Sequence, residues 1–223
     1  YKRQYLNSSG ISIDSRSIKK GALFFALKGP NFDGNQFAND ALKKGASYVV
    51  VDDPNSVEIN DNIFLVEDSL NALQKLALHH RKQLKIPIIA ITGSNGKTTT
   101  KELIHEVLSQ KFLVHSTKGN MNNHIGVPIT ILQISKNHEV AIIEMGANHL
   151  KEIVDIERIA SKIATAKVNP RELVSLKKSI GEMIRVSKIG GLIYIHTPEV
   201  CKFILIDPKM LELSTYEGIP HLL

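Results

Sequence analysis

Short apolar runs alternate with amphipathic segments along the first part of the chain. Strands that alternate with helices in this way are typical of parallel sheets with helical crossovers. The pattern predicts an α/β fold that begins with a small domain over residues 1–84. Its predicted strands lie at residues 22–27, 48–51 and 63–66, and its predicted helices at residues 36–44 and 69–84, the last one capped by Ser69.

A second alternating unit follows over residues 85–152. Its first strand is a continuous apolar run, which predicts burial on both faces of a parallel sheet. We therefore expect a truncated, parallel-sheet ATPase domain of the phosphate-loop type. Strands are predicted at residues 86–91, 112–115 and 139–143, and helices at residues 99–108 and 126–132.

The last part of the chain, residues 153–223, has a mixed pattern. Amphipathic helices are predicted at residues 155–164 and 170–186, and strands at residues 192–195 and 203–206. We expect this helical and β-strand tail to complete a sheet edge that the second unit leaves open.

The segment IIAITGSNGKTTT, residues 88–100, places a glycine-bracketed loop between a strand and a helix. Gly93 and Gly96 allow backbone N–H groups to approach phosphate oxygens, and Lys97 adds a cation. The hydroxyl of Thr98 suits Mg²⁺, and the helix N-terminus favours an anion. The loop therefore predicts ATP and Mg²⁺ as ligands. The full G-x-x-x-x-G-K-[ST] pattern is not met, because Ile91 stands at its first glycine position, and an ordinary turn before a lysine is the alternative.

Glu144 follows the last predicted strand of the second unit. Ligands of open parallel sheets bind beyond the carboxyl ends of the strands, where the phosphate loop also lies. Glu144 is therefore a candidate Mg²⁺ ligand, and capping of a following helix is the alternative. Asn120, Asn122 and Asn123 lie on a loop near the same edge, although asparagines are also common in loops.

Composition limits the class of protein and its partners. The chain has 223 residues and a net charge of +6, and residues 153–188 carry the largest share of the positive excess. No aromatic residues are interleaved with these charges, so we regard nucleic acid as an unlikely partner. Cys201 is the single cysteine, which excludes a disulfide framework and suits a cytoplasmic location. No apolar run is long enough to predict a membrane span.

Three segments, IIAITGSNGKTTTKE, TKGNMNNHIGVPITIL and AIIEMGANH, resemble the central ATPase domain of the Mur ligases. Upstream, IDSRSIKKGALFFALKGPNFDGNQ is similar to the family's domain for a uridine nucleotide. The resemblance covers about residues 10–152, with several motifs in the same order and spacing.

The resemblance implies ATP-dependent amide-bond formation in peptidoglycan synthesis, in which D-Ala-D-Ala is added to a UDP-muramoyl-tripeptide. An acyl phosphate of the tripeptide would be the intermediate. Lys97 and Glu144 would be catalytic, and Thr98 and Glu144 would bind the metal. The implied ATP-binding residues are Gly93, Ser94, Asn95, Gly96, Lys97, Thr98 and Thr99, and the substrate-binding residues are Ser15, Arg16, Lys28, Asp33, Asn120 and Asn123.

Past residue 152 the sequence departs from the family. The expected histidine motif, carbamylated lysine and acceptor domain do not follow. Residues 155–188 instead resemble a helical segment of MutS-type mismatch-repair ATPases, and residues 192–223 resemble FtsK-type DNA translocases. We therefore interpret the chain as a composite whose catalysis is incomplete. The alternatives are a non-catalytic module that binds ATP and a UDP-sugar and, less favoured, a DNA-associated protein.

Overall fold

The computed structural model describes five stretches of the chain, and its contacts divide the chain into two compact units, Tyr1–His79 and His80–Leu223. The predicted helices of the tail and three residues of the phosphate loop, Gly93, Ser94 and Asn95, lie outside the described residues. The described residues are 1–58, 60–92, 96–146, 191–196 and 201–206.

The first unit contains a four-stranded, fully parallel sheet with the strand order β1-β2-β5-β6. A short antiparallel hairpin, β3–β4, lies outside this sheet. The elements are α1 (Lys2–Leu6), β1 (Ile11–Ser12), β2 (Leu23–Phe25), β3 (Lys28–Gly29), β4 (Phe32–Asp33), α2 (Ala38–Lys43), β5 (Tyr48–Val51), β6 (Ile63–Leu65) and α3 (Ser69–Gln83), the last of which continues into the second unit.

The elements predicted for the first unit are present, and α2 packs on the sheet through its alanines. Ala38 and Ala41 join Phe24, Val49 and Val51 in one buried cluster. The strand β1 and the hairpin were not predicted, because two-residue strands carry too few positions for an alternating pattern.

The predicted cap of α3 was wrong by one residue. The carboxylate Oδ1 of Asp68 accepts a hydrogen bond from the N–H of Asn71 at 2.6 Å. Asp68 is therefore the capping residue. Ser69 is instead fully buried, its N–H donates to Asp52 Oδ2, and its hydroxyl makes no hydrogen bond.

The second unit contains a mixed five-stranded sheet with the order β11-β10-β7-β9-β8. Strands β7, β8 and β9 are parallel, and β10 is antiparallel to both of its neighbours. The elements are β7 (Ile88–Thr92), α4 (Lys97–Ser109), β8 (Val114–Ser116), α5 (Gly126–Leu132), β9 (Val140–Glu144), β10 (Gly191–His196) and β11 (Cys201–Ile206).

Strands β7 and β9 form the core of the second unit, as their apolar sequences predicted. Every residue of β9 and the first four residues of β7 are buried. Helix α4 covers this sheet with Ile104 and Leu108. Helix α4 begins at Lys97, two residues before the predicted start, because Gly96 already supplies the turn that ends the loop. Among the described residues, no helix is both long and apolar enough to cross a membrane.

The two tail strands extend the sheet at the edge of β7, which confirms the strands predicted there. Ile193 pairs with Ile91 and Leu192 with Thr92 in the antiparallel register. Strand β11 then pairs with β10 over six residue pairs. The backbone groups of β7 are therefore paired on both sides, and its edge is not exposed to another chain.

Candidate functional site

The described part of the phosphate loop is the turn from Gly96 into α4. Gly96 has a φ of +75°, a left-handed conformation that glycine adopts without strain. Its carbonyl oxygen accepts the N–H of Thr100 at 2.9 Å, which closes the first helical turn. Lys97, Thr98 and Thr99 consequently occupy the first turn of a 13-residue helix, and the N-terminus of a helix favours an anion.

Glu144 is the last residue of β9 and lies beside the end of β7, with Ile91 as its register partner. Its side chain is only 1% exposed. Thr98 Oγ1 donates to Glu144 Oε1 at 3.2 Å, and Asn122 Nδ2 donates to the same oxygen at 2.8 Å. The fold thus brings together Thr98 and Glu144, the two residues predicted to bind the metal.

Lys101 lies on the other side of this carboxylate, and the sequence reasoning missed it. Its side chain is fully buried, and Nζ is 3.6 Å from Glu144 Oε2. Nζ is also 2.9 Å from Oε1 of Glu102, whose side chain is 58% exposed. The helical spacing of Lys101 with Ile104 and Leu108 places a lysine on the apolar face of α4, and that spacing is the signal that could have revealed it.

The residues around Glu144 fit a magnesium ion. Oε2 of Glu144 is buried and accepts no hydrogen bond. The hydroxyl of Thr98 uses its hydrogen toward Glu144, so its oxygen lone pairs remain available. Mg²⁺ prefers one or two such protein oxygens together with water and phosphate.

The three asparagines of the loop before α5 make different contacts. Asn122, rather than Asn120 or Asn123, contacts Glu144, and its carbonyl oxygen also accepts the N–H of Gly146 at 2.7 Å. Asn123 Oδ1 accepts the N–H of Gly126 at 2.8 Å and so caps α5. Asn120 is exposed. The substrate roles of Asn120 and Asn123 stay predictions.

Gly126 lets this loop pack directly on α5. A Cβ atom at this position would lie 2.4 Å from the carbonyl carbon of Met121. No side chain fits there without moving the backbone. Gly126 therefore holds the loop that carries Asn122 against the helix.

In the first unit, Asp14 and Arg16 form an exposed pair around Ser15. Arg16 donates to Asp14 through Nε at 2.9 Å and through Nη2 at 2.8 Å. These hydrogen bonds lower the pKa of Asp14 to about 2. Ser15 itself is buried, and its carbonyl oxygen accepts a hydrogen bond from Lys44 Nζ at 3.1 Å.

Lys28 and Asp33 lie on the β3–β4 hairpin, beside a surface cavity of about 560 Å³. Phe32 and Phe37 also line this cavity, and their rings stack with centroids 5.3 Å apart. An aromatic wall next to a cation is suited to a planar, negatively charged ligand. The structure thus places Lys28 and Asp33 together at one concave surface.

Buried Asn35 supports this surface. Its Nδ2 donates to Asp33 Oδ1 at 2.7 Å and to Asp52 Oδ1 at 2.8 Å, and Lys28 Nζ is 3.0 Å from the same Asp52 oxygen. Sequence reasoning did not identify Asn35 or Asp52, because their contacts join residues 17 positions apart.

Comparison with known proteins assigns the two units to related models. Residues 7–89 match the model described as "Mur ligase family, catalytic domain", and residues 91–167 match the "Mur ligase middle domain". Residues 187–223 match a different family, FtsK/SpoIIIE. The tail resemblance to FtsK-type proteins is therefore confirmed, whereas the resemblance of residues 155–188 to MutS-type proteins stays a prediction.

Two similar curated proteins are UDP-N-acetylmuramoyl-tripeptide–D-alanyl-D-alanine ligases. The Bacillus subtilis protein is 43% identical over 162 residues, which cover 72% of this chain and 35% of that protein. The Synechocystis protein is 45% identical over 170 residues, which cover 72% of this chain and 37% of that protein. The chain thus spans about a third of the length of these relatives.

Solved structures agree on the fold. The UDP-N-acetylmuramoylalanyl-D-glutamyl-2,6-diaminopimelate–D-alanyl-D-alanyl ligase of Acinetobacter baumannii has a TM-score of 0.63 at 25% identity and covers 93% of this chain and 58% of its own. The MurF ligase of Thermotoga maritima, solved with ADP, has a TM-score of 0.62 at 24% identity. This match covers 90% of this chain and 58% of the Thermotoga maritima chain. Two Mur ligase domain models match adjoining stretches, residues 7–89 and 91–167, and over these residues the chain belongs to the Mur ligase family.

Proposed function

We propose that this protein is an ATP-dependent amide-bond ligase that adds D-Ala-D-Ala to a UDP-muramoyl-tripeptide in peptidoglycan synthesis. The observation that carries the proposal is the contact of Thr98 with Glu144 beside the first turn of α4. A hydroxyl, a buried carboxylate and a helix N-terminus at one sheet edge are the groups that a magnesium–triphosphate needs. The Thermotoga maritima MurF ligase, which shares the fold, was solved with ADP, and we propose an adenine nucleotide for this chain as well.

We assign the following roles to the site residues as part of this proposal. Lys97 and the N–H groups of the first turn would bind the β- and γ-phosphates, and Thr98 and Glu144 would hold Mg²⁺. Mg²⁺ held there would supply neutralisation of the phosphate charge. Gly93, Ser94, Asn95 and Thr99 complete the proposed ATP site.

The proposed chemistry has two steps. A carboxylate oxygen of the tripeptide attacks the γ-phosphorus, and ADP leaves. The amine nitrogen of D-Ala-D-Ala then attacks the acyl carbon, the amide bond forms and phosphate leaves. Orientation of the reacting groups and neutralisation of charge supply most of the catalysis in such reactions.

For the uridine nucleotide we propose a polar surface of the first unit to which the exposed Arg16 and Lys28 belong. Ser15, Arg16, Lys28 and Asp33 would contact it, and the stacked rings of Phe32 and Phe37 would offer an apolar wall. Asn120 and Asn123 stay part of the proposed substrate site of the second unit. Because both nucleotides are intracellular metabolites, we place the activity in the cytoplasm.

Release of ADP tests this proposal. It should require the muramoyl-tripeptide nucleotide and D-Ala-D-Ala together, and Lys97→Ala should lower the rate by about 100-fold to 1,000-fold, because a cation on the developing charge is lost. Lys136→Ala, at an exposed loop lysine, is the matched control and should keep the wild-type rate. ADP release that ignores either substrate would contradict the ligase assignment.

A second candidate is a module that binds ATP and a UDP-sugar without turnover. The match of residues 187–223 to a different family favours it, since the chain joins segments of two families. Both candidates predict that calorimetry detects uptake of the two nucleotides and loss of ATP uptake in Lys97→Ala. The ADP-release assay separates them, because this candidate predicts no release with all substrates present.

A further inference from the structure

Lys101 is a fully buried lysine in the candidate site, and the proposed chemistry assigns it no role. Lysine is almost never fully buried unless it is paired, because removing an ammonium group from water is costly. In Lys101 no part of the side chain is exposed. An apolar residue would suit its position on the face of α4 that Ile104 and Leu108 share. Its presence therefore calls for a compensating interaction.

Two carboxylates compensate this charge: Glu102, whose side chain is largely exposed, lies 2.9 Å from Nζ, and Glu144 is the buried partner. Lys101 Nζ and Glu144 Oε2 face each other at 3.6 Å, and neither atom forms a hydrogen bond. The other oxygen of the carboxylate, Oε1, is already held by Thr98 and Asn122. Lys101 thus acts on the only oxygen of Glu144 that these two donors leave unrestrained.

We propose that Lys101 is a positioning residue for the metal site: its buried ammonium group holds the Glu144 carboxylate in the orientation that Mg²⁺ and the phosphates of ATP require. The terminal torsion of a glutamate is broad and nearly two-fold, so hydrogen bonds to one oxygen alone leave the carboxylate free to tilt. A cation beside the second oxygen removes that freedom. This inference rests on the proposed function, because it assumes that Glu144 binds the metal.

An electrostatic argument predicts the opposite effect and makes the inference testable. A lysine beside a metal ligand also repels the metal cation. If repulsion were its main effect, removing the ammonium group would tighten metal binding. If positioning dominates, removal weakens it by about 10-fold to 100-fold, the usual loss when a group that orients a metal ligand is changed. The direction of the change decides between the two.

The experiment measures the Mg²⁺ concentration needed for half-maximal binding of a non-hydrolysable ATP analogue to the full chain. Lys101→Met keeps the length and apolar stem of the side chain, and we expect its Mg²⁺ requirement to rise by about 10-fold or more. Glu102→Gln removes the exposed partner of Lys101 and is the matched control, which should keep the wild-type requirement. An unchanged or lower requirement in Lys101→Met would overturn the inference.

A stability cycle covers the case in which Lys101→Met folds poorly. Losing one member of a buried ion pair leaves the other charge uncompensated, whereas replacing both with neutral groups relieves it. Lys101→Met should therefore lower the urea midpoint of unfolding, and the double variant Lys101→Met with Glu144→Gln should regain most of that loss. Purely additive losses would show that the two side chains do not interact and would reject the inference.

The two proposals fail in different ways. If the wild-type chain takes up no ATP analogue at any Mg²⁺ concentration, the proposed function fails, and the stability cycle still tests the pair. If the wild-type chain binds the analogue with magnesium but Lys101→Met binds it equally well, the role of Lys101 alone is rejected.

Discussion

His115 is another buried polar residue of the second unit, and its surroundings make the stability of the fold depend on pH. Its Nε2 lies 3.0 Å from the carbonyl oxygen of Thr130, so this nitrogen carries the hydrogen and donates it. The ring of His138 is 5.0 Å away. Burial, followed by the charges of His138, Lys118 and His105, lowers the pKa of His115 from 6.5 to about 4, although its hydrogen bond to Thr130 acts in the opposite direction.

This shift predicts a loss of stability in mild acid. The unfolded chain takes up the His115 proton near pH 6.5, whereas the folded chain resists it until about pH 4. The stabilisation that neutral His115 provides is therefore complete above pH 6.5 and is lost as the pH falls toward 4, by at most about 3 kcal/mol. Urea unfolding of the wild-type chain at pH 7.5 and at pH 4.5 measures this loss of stability.

His115→Gln is the matching variant, because its amide can still donate to Thr130 but does not titrate in this range. The stability difference between wild type and His115→Gln should shrink between pH 7.5 and pH 4.5. A difference that stays constant over this interval would show that His115 does not titrate with a lowered pKa.

At the scale of elements, the turn before α5 both caps this helix and contacts the candidate metal site through Asn122. Asn123 accepts the N–H groups of Ile125 and Gly126 at 3.1 and 2.8 Å, while the preceding residue, Asn122, donates to Glu144. Capping fixes where α5 begins and thereby where Asn122 points. An identical residue type at neighbouring positions thus serves two different purposes.

Replacing the cap should cost stability. Asn123→Ala leaves N–H groups at the start of α5 without an acceptor and is expected to reduce the free energy of unfolding by about 0.5–2 kcal/mol. Asn120→Ala, at the exposed position of the same loop, is the control and should remain within about 0.5 kcal/mol of wild type. Chemical denaturation of both variants measures the difference. Equal effects would show that Asn123 is not a cap.

At the scale of the whole molecule, each unit builds its sheet differently. The first unit has a fully parallel four-stranded sheet, whereas the second adds two antiparallel strands to three parallel ones. The added strand β10 comes from the part of the chain that matches the FtsK/SpoIIIE family, and it pairs with the β7 strand of the Mur ligase part. Segments matched to two families therefore share one hydrogen-bonded sheet.

Interruption of β10 should expose β7. Ile193 lies in the middle of a strand that has neighbours on both sides, so Ile193→Pro removes a ladder hydrogen bond and clashes with the partner strand. We expect faster amide hydrogen exchange in residues 88–92 and a lower unfolding midpoint, while Ile193→Val should preserve both. Unchanged protection of β7 in the proline variant would contradict the pairing of β10 with β7.

Much of this architecture could be predicted from local pattern. Helix α5 has the predicted bounds, and β5 does as well, because their apolar spacing is complete within a few residues. The turn at Gly96 was also predictable, since a glycine before Lys97 and three threonines has few other structural explanations. The short strand β1 and the β3–β4 hairpin were not, because two residues cannot establish a period.

The structure brings two of the predicted site residues into contact. Thr98 and Glu144 meet as expected, since parallel strands end at one edge of a sheet. Among the three loop asparagines, the one that reaches Glu144 depends on the path of the loop, which Gly126 and the cap by Asn123 determine. Lys101 and Asn35 escaped notice because their roles come from burial beside distant partners.

The sequence by itself determined the order of strands and helices, the glycine turn and the Mur ligase motifs, because these depend on residues close together in the chain. Only the tertiary structure decided that Lys101 faces Glu144, that Asn122 is the contacting asparagine and that β10 joins β7 antiparallel. Those outcomes depend on pairings between residues tens of positions apart, and the free energy of such pairings depends on burial and register that local spacing does not encode.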